Sequence, residues 1–429
     1  MQLRQLMLIA SALVGVGAAP ARAQDALTPL EGDSVLRSLV AEALGRNPTM
    51  AQRQATVRAA GLRIQPAGTL PDPMVEVGTI DPFQKFHGFS QTQFELLQEI
   101  PWPGLLGAQS GMARAVETEA RAEVGSTRRQ VTAAVAAAYY RLRYLVTALR
   151  TIAEQRRLLD AAAQLSMSRY GTGLAPQSDP LQAKLARDRI DAEEAAVQGE
   201  YTAVLAALNA LRDRPPSDSL AIAPVDPVAI RTLVSALPAP ELLAETAVAV
   251  HPRIAARRAA LVQAGRQVQV ERLGGRPDFF LRFDYQRNGN VSQGTVPDYP
   301  SAFVGMRLPI WAWRKQHRLA DAARADSTAA AAEFRDTEAQ LRSEVVATAA
   351  RVQASGRRLG LLVDGVLPAA QATVESVLRS YQVGRAEFLT LLSVEDARYR
   401  AELEAVAVAA DYQAQLVMLR QLTAGETQP

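Results

Sequence analysis

The sequence repeats one order of segments, and this duplication restricts the possible folds more than any other feature. Residues 39–61 align with residues 242–265, and further on residues 70–78 align with residues 276–284. Identity between the copies is weak, but the order is kept along the chain. Such internal repetition predicts two copies of one structural unit.

The repeats suggest the following boundaries. We expect a first structural repeat at residues 24–212, a proline-rich connector at 213–240, a second repeat at 241–425 and a tail at 426–429. Each repeat would contain a β-hairpin, at about residues 72–101 and 277–310, and a pair of long helices. The helix pairs would reverse direction near residues 170–176 and 381–386.

Residues 1–23 have the pattern of a cleaved export signal. Arg4 precedes a short apolar run, and Ala21-Arg22-Ala23 fits the small-residue cleavage rule. The run is shorter than the roughly 20 residues that a retained helical anchor needs. The chain contains no cysteine, so it would carry neither disulfides nor a lipid anchor. No second long apolar run is evident, so a membrane span would be β.

Two long segments have the 4,3 spacing of a coiled-coil seam. The first seam comprises Val131, Val135, Ala138, Leu142, Leu145, Leu149 and Ile152. The second comprises Leu341, Val345, Val352, Leu359, Leu362 and Val366, interrupted by Thr348 and Ser355. Proline is absent between Pro103 and Pro176, so one helix of about 65 residues can form there. In the second copy we expect a kink at Pro368.

Before each long helix the period changes to two, which indicates strands. We expect strands at residues 74–80 and 90–100 in the first copy, and at 279–286 and 302–310 in the second. Turns at residues 81–88 and 287–299 would close the hairpins. One face of each strand is apolar and the other polar, which suits either a membrane barrel or hairpins packed on helices in a soluble protein.

Four strands cannot close a barrel, and an open sheet edge is not viable in lipid. Strands in a membrane would therefore have to share a barrel with other copies. Three chains give twelve strands, an even number within the usual range, whereas two chains give a barrel filled by its own side chains.

Each hairpin is followed by a proline- and tryptophan-containing segment, and the two segments hold every tryptophan of the chain. The first joint, residues 99–107, contains Pro101, Trp102, Pro103 and Gly104; the second joint, residues 307–315, contains Pro309, Trp311 and Trp313. The prolines would end the strand ladder. The indole rings would lie at a membrane rim or fill the junction as core residues.

With these features the chain resembles the TolC-type outer membrane efflux channel family over essentially its whole mature length. The resemblance rests on the repeated order of elements, on Pro101-Trp102-Pro103-Gly104, and on the Tyr-x-x-Gly sequences at residues 170–173 and 381–384. Together with the Leu-Pro-Asp-Pro of residues 70–73, the first joint is most similar to the branch for heavy-metal efflux of the resistance-nodulation-division type.

The resemblance implies a mixed α/β membrane protein, mostly α. A homotrimer would form a 12-stranded outer membrane β-barrel with four strands per chain, continued by a long antiparallel α-helical barrel in the periplasm. A periplasmic adaptor would dock at the helix reversals, and an inner-membrane pump, of the resistance-nodulation-division type or another, would supply energy. The resemblance implies no cofactor.

The resemblance also assigns roles to particular residues. The first tip, residues 169–179, would dock the adaptor through Tyr170, Gly171, Gly173 and Leu174; the second tip, residues 380–390, through Tyr381, Gly384 and Arg385. Aperture candidates are Asp179 and, where the family often has acidic residues, Thr390 and Ser393, with Glu395 and Asp396 slightly later. This departure makes an acidic ring of the usual kind doubtful.

Other functional classes lack the residues that they need. His87, His251 and His317 lie far apart and form no metal-ligand spacing. Basic and acidic residues are mixed along the chain, so no nucleic-acid-binding face is indicated. No catalytic motif is present. The leading hypothesis is a passive exit duct for metal ions or drugs; the alternatives are a type I secretion channel and a soluble periplasmic coiled-coil scaffold.

Overall fold

The computed structural model describes residues 33–80, 91–288 and 297–424. The expected signal peptide, the turn at residues 81–88 with His87, most of the turn at 287–299 and the tail lie outside the described residues. The chain divides into two compact units. We call residues 33–51, 125–251 and 339–424 the helical unit, and residues 52–80, 91–124, 252–288 and 297–338 the sheet unit.

The described elements follow the duplicated order of the sequence. The first copy contains α1 (Ser34–Arg46), α2 (Pro48–Leu62), α3 (Ile64–Ala67), β1 (Met74–Ile80), β2 (Gln91–Ile100), α4 (Leu105–Gly171) and α5 (Ser178–Leu211). The connector contains α6 (Pro227–Leu233). The second copy contains α7 (Pro240–Val250), α8 (Pro252–Leu273), β3 (Asp278–Asn288), β4 (Tyr299–Arg307), α9 (Gln316–Leu361), a π-helical turn (Leu362–Val366), α10 (Leu367–Gln382) and α11 (Phe388–Thr423).

The aligned X-Pro pairs separate two helices in each copy. Asn47 lies between α1 and α2, and His251 lies between α7 and α8. Proline disfavours helical backbone in the preceding residue, so each helix ends there and a new one begins at the proline. The Asn47 side chain accepts hydrogen bonds from the backbone of Thr49 and Met50 and donates one to the Leu211 carbonyl.

Helix α4 has 67 residues, as the absence of proline predicted. The first predicted seam is largely correct, because Val135, Leu142, Leu145 and Ile152 are fully buried. Each such side chain contributes about 1.5–3 kcal/mol through burial. Ala138 and Leu149 are only partly buried, while Tyr139 and Ala148, which the seam omitted, lie in the core.

The second predicted seam is correct from Leu341 to Leu362 and wrong at Val366, which is exposed. The cause is the π-helical turn before Pro368, in which the Leu367 N–H donates to the Leu362 carbonyl five residues earlier. A π turn holds an extra residue, so it rotates the following side chains away from the heptad face. The structure thus accommodates Pro368 with a change of helix type.

The four described strands form one antiparallel sheet in the order β1-β2-β3-β4. The two hairpins are therefore joined through β2 and β3, with Leu96 opposite Phe283. The sequence placed the last strand at residues 302–310, whereas β4 is Tyr299–Arg307. The strand ends before Pro309, which lacks the N–H that a ladder would need.

The sheet has one apolar and one polar face, as the period of two predicted. The register places on the apolar face Val75, Val77, Phe94, Leu96, Phe279, Leu281, Phe283, Tyr285, Val304 and Met306. The opposite, mostly polar face carries Glu76, Gln93, Glu95, Arg282, Asp284, Gln286 and Ser301, together with the apolar Met74, Leu97, Phe280 and Phe303. Several apolar-face residues, with Val75 and Val304 the most exposed, are open to the surroundings in the single chain.

One helical run departs from the expectation that no second long apolar segment is present. Among the described residues, the run Gln316–Gln382 contains an 18-residue window with mean hydropathy 1.3, of which 11% is buried. The same run carries Arg342, paired with Glu245, and Asp364, paired with Arg231. Charged residues are rare in helices that cross lipid. We therefore interpret the run as a surface helix with a partly exposed apolar face.

The connector packs on the helical unit through both polar contacts and close packing. The Arg143 guanidinium donates to the carbonyls of Ala223 and Pro224, and the Thr147 hydroxyl accepts a hydrogen bond from the Val225 N–H. Farther along, the connector residue Val234 packs against Gly356 of α9. A side chain at Gly356 would occupy the same space.

Replacing Gly356 with leucine is expected to destabilise the helical unit by about 1–3 kcal/mol. A Cβ atom there would lie 2.9 Å from a Val234 methyl carbon and 3.4 Å from the Tyr412 ring, so the connector must shift. Denaturant unfolding followed by far-UV circular dichroism would measure the loss. The control is Gly199→Ala, because no atom lies within 4 Å of the added methyl group; unchanged stability of the Gly356 variant would contradict the packing described.

Candidate functional site

Both tips have the same backbone geometry. Gly173 and Gly384 adopt φ values of +75° and +74°, in the left-handed region. The Leu174 N–H donates to the Arg169 carbonyl and the Gly173 N–H to the Tyr170 carbonyl. Equivalent bonds run from Arg385 to Ser380 and from Gly384 to Tyr381. This is the Schellman motif, which ends a helix at a left-handed glycine.

The aligned tyrosines of the tips differ in burial. Tyr170 is 43% exposed, whereas Tyr381 is 3% exposed. Tyr381 packs in a cluster with Ala183, Phe388 and Leu391, and its ring centroid lies 5.7 Å from that of Phe388. Of the two side chains, Tyr170 is therefore open to the surroundings, whereas Tyr381 packs inside the tip.

Arg169 links the two tips. Its Nη1 donates to the Tyr381 carbonyl at 3.1 Å, and its guanidinium lies 4.8 Å from the centre of the Tyr381 ring. The first tip is thus bonded to the end of α10. Arg169 could not be selected from the repeat pattern, because Ser380 occupies the aligned position in the second copy.

Burial is the main reason that the pKa of the Tyr381 hydroxyl is raised above its usual value. The positive charge of Arg169 acts in the opposite direction, and the negative charge of Asp179 adds to the increase. Tyr381 therefore stays protonated and neutral at physiological pH. The negative charge of Asp179 thus acts on the Tyr381 hydroxyl within the tip cluster.

Apolar side chains are also exposed at the two tips. Leu174 and Val383 flank the two left-handed glycines, and Leu389 follows the second reversal; all three are strongly exposed. Gly171 and Arg385 are exposed as well. Exposed apolar side chains grouped around a rigid turn are typical of a protein-binding surface. Val383 and Leu389 were not among the residues selected from the sequence.

The aperture candidates do not form one cluster of side chains. Asp179 is partly buried in the first turn of α5, whereas Thr390 and Ser393 are exposed in α11. The Ser393 hydroxyl donates to the Thr390 carbonyl. The later acidic residues Glu395 and Asp396 are paired with Arg398 and Arg400. Among the described residues, no group of three or more His, Asp or Glu residues could hold a metal ion.

The first joint is packed. The backbone N–H of Trp102 donates to the Asp278 carboxylate at 3.1 Å. The indole ring of Trp102 stacks on the Phe279 ring, with centroids 5.9 Å apart. Gly104 has φ +93°, a left-handed value that turns the chain into α4. Pro101 and Pro103 flank this turn, and neither is fully buried. Trp102 therefore fills the junction between β2, β3 and α4.

The second joint is open. Trp311 and Trp313 are 63% and 62% exposed, and Leu308 and Ile310 are exposed beside them. The Arg314 guanidinium lies 5.3 Å from the centre of the Trp313 ring. In the single chain these two tryptophans are not core residues, whereas Trp102 is partly buried.

Comparison with known proteins gives a family match over part of the sequence and fold matches over nearly the whole chain. The family model "Outer membrane efflux protein" matches residues 243–425. No curated protein sequence matches the chain. The outer-membrane channel OprN superposes with a TM-score of 0.80 at 18% identity, covering 92% of this chain and 91% of that one.

Two further solved structures have the same fold. VceC from Vibrio cholerae gives a TM-score of 0.75 at 18% identity, covering 91% of this chain and 97% of that one. The open state of MtrE from Neisseria gonorrhoeae gives a TM-score of 0.74 at 18% identity, covering 92% of this chain and 91% of that one. At these identities the likeness establishes the fold. The mostly helical fold class with a small antiparallel sheet is thereby confirmed.

Proposed function

We propose that three copies of the chain form the exit duct of a tripartite efflux system, because residues 243–425 match the family model "Outer membrane efflux protein" and the fold is that of solved outer membrane channels. Members of the family are outer membrane proteins and passive channels, not enzymes, so the expected location and the absence of catalysis are confirmed at that level. Our proposal concerns the trimer, the partner proteins and the transported substrate.

The main support for a trimer is that the sheet of one chain is incomplete. Its edge strands β1 and β4 have no neighbour on their outer sides among the described residues, and its apolar face is exposed. In lipid, every backbone N–H and carbonyl must be paired within the protein. Three four-stranded sheets joined edge to edge give a closed twelve-stranded barrel, with the polar face towards water.

The same observation weakens the soluble-scaffold alternative. A soluble protein would cover the apolar face with helices, but Val75, Phe283 and Val304 remain exposed in the chain. Exposed contiguous apolar surface of this kind mediates association with lipid or with another chain. Release of the protein with the soluble periplasmic fraction as a monomer would contradict the channel proposal.

The tips are the proposed docking site for a periplasmic adaptor. Tyr170, Leu174, Val383 and Leu389 present apolar surface on two identical, rigid turns. The adaptor would favour an open arrangement of the helices by binding it more tightly than the closed one. An inner-membrane pump would deliver metal ions or drugs; a type I secretion role, with a protein as cargo, is the alternative.

Replacing Gly173 or Gly384 with valine is expected to impair adaptor-dependent export while leaving membrane insertion intact. A left-handed backbone costs a residue with a side chain about 1–2 kcal/mol, and a β-branched residue more. The matched control is Gly199→Val, since Gly199 is exposed outside the tips and has no positive φ. Export would be measured in a deletion strain; normal export by both valine variants would count against docking at the tips.

Conductance of the purified protein in a planar bilayer tests the function most directly. We expect stable pores whose oligomer, by native mass spectrometry, contains three chains. Protein that inserts correctly but forms no pores would contradict the proposed exit duct. A susceptibility test on a deletion strain, with metal salts and drugs in parallel, would then identify the substrate class.

A further inference from the structure

A cationic cleft of about 460 Å³ lies in the sheet unit where α4 begins and α8 ends. Its charged lining consists of Arg266, Arg272 and Arg276. Gly104 and Gly107 form part of the opposite wall, and their small size lets a ligand approach the backbone of α4. The function proposed above does not use this cleft.

The three guanidinium groups have no carboxylate partner among the residues that the structure describes. Arg266 donates to the Gln269 side chain at 3.0 Å, and Arg276 lies 5.9 Å from the centre of the Trp102 ring. The cleft lining contains no acidic residue. Three positive charges so close together repel one another, so a bound anion would stabilise them.

The nearest acidic side chains along the chain are already engaged. Glu271 accepts a hydrogen bond from Gln267, and Asp278 accepts one from the Trp102 N–H. Neither lines the cleft. Arginine is also the side chain that best matches a phosphate group, because its planar fork can donate two parallel hydrogen bonds.

The cleft is continuous with the apolar face of the sheet. The Arg276 guanidinium lies over Trp102, and Trp102 stacks on Phe279. Phe279 is opposite Ile100 in β2 and Met306 in β4, and its side chain therefore belongs to the apolar face. A molecule with a phosphate in the cleft could lay its apolar part along that face.

The second joint adds to the same surface. Gly275, next to Arg276, lies close to Gln316, because a Cβ added at Gly275 would be 3.4 Å from the Gln316 Cβ. Residues 308–320 contain Arg314, Lys315 and Arg318 but no acidic residue. Exposed tryptophans and basic residues together are typical of the headgroup layer of a membrane.

We infer that the cleft of Arg266, Arg272 and Arg276 binds the phosphate of an anionic phospholipid whose acyl chains lie along the apolar face of the sheet. The inference rests on the proposed membrane location of that sheet. A free phosphate ion would account for the arginines but not for their continuity with Trp102, Phe279 and the apolar face. The lipid would hold the joint at the level of the headgroups.

The test is lipid retention by the full-length protein. The protein is reconstituted into vesicles of phosphatidylcholine and phosphatidylglycerol, extracted in mild detergent, and its co-purified lipids are quantified by mass spectrometry. We expect enrichment of phosphatidylglycerol, falling about fivefold for each of Arg272→Gln and Arg276→Gln. The matched control is Arg335→Gln, which removes an exposed charge of the same unit outside the cleft and should leave the enrichment unchanged.

The outcomes separate this inference from the proposed function. If the protein forms pores and trimers but the wild type and the Arg272 and Arg276 variants retain phosphatidylglycerol and phosphatidylcholine in the same ratio, the lipid site alone is overturned. Arginine-dependent binding of inorganic phosphate without lipid enrichment would also overturn it, in favour of a free anion. Failure of the wild type to insert into any vesicle would overturn both proposals.

Discussion

Replacing Glu42 with alanine is expected to destabilise the helical unit by about 3 kcal/mol, because it removes the close counter-charge of the buried Arg212 and leaves only Asp218, whose Oδ2 is 3.9 Å away. Glu42 lies 2.7 Å from Arg212, whose side chain is only 7% exposed, and 2.6 Å from Arg214. Arg212 also donates to the Asn209 side chain. Denaturant unfolding followed by far-UV circular dichroism would measure the loss.

Two variants show whether the buried charge is the cause. Glu404→Ala removes one partner of an exposed ion pair with Arg358 and should cost at most about 1 kcal/mol. The double variant Glu42→Leu, Arg212→Leu removes both charges and should recover much of the stability. A loss at Glu42 no larger than the loss at Glu404 would show that Arg212 finds another partner.

The same pair predicts a pH dependence. Burial alone would raise the pKa of Glu42, but hydrogen bonds from Arg212 and Arg214 outweigh it and hold the pKa below its usual value of 4.5. The unfolded state therefore takes up the proton first on acidification. The contribution of Glu42 is fully present above pH 4.5 and is lost as the pH falls through the folded pKa. The stability difference between wild type and Glu42→Ala should narrow over that range.

Replacing Gly305 with valine is expected to prevent correct assembly of the sheet. Gly305 is directly opposite Phe280 in the register of β3 and β4. The Phe280 ring covers Gly305, and a Cβ atom would overlap it. Forcing a side chain into this space costs about 1–3 kcal/mol or more, and the ring or the strand must move. The yield of folded, membrane-inserted protein after refolding into lipid would measure the effect.

A second substitution tests whether the ring is responsible. In the double variant Gly305→Ala, Phe280→Leu, the smaller side chain at position 280 leaves space for the added methyl group. The double variant should therefore lose less folded, membrane-inserted protein than the two single changes together. Gly78→Ala is the control, because no atom lies within 4 Å of the added methyl group in β1. Equal yields from Gly305→Val and Gly78→Ala would contradict the contact.

The sequence predicted those features that depend on local backbone preference. The lack of proline after Pro103 predicted α4, since nothing interrupts its hydrogen-bond ladder. Alternation of period two predicted the strands and their apolar face. The reversals expected near residues 170–176 and 381–386 contain Gly173 and Gly384, which adopt left-handed backbone conformations as glycine commonly does after a helix. Neighbouring residues along the chain decide each of these features.

Burial and pairing between distant segments were decided by the tertiary structure. Tyr170 and Tyr381 occupy the same position in the two copies, but only Tyr381 has Phe388 and Arg169 packed against it. The exposure of Val366 follows from the π-helical turn, which the heptad count could not include. No periodicity in the sequence reports which side chains meet after the chain reverses.

By itself, therefore, the sequence determined the helices, the strands, the reversals and the family resemblance. Only the tertiary structure brought Glu42 to Arg212 and placed three arginines at one cleft beside Trp102. Local preferences act over a few residues, whereas an ion pair across 170 positions forms only when packing of other elements has already closed the intervening chain.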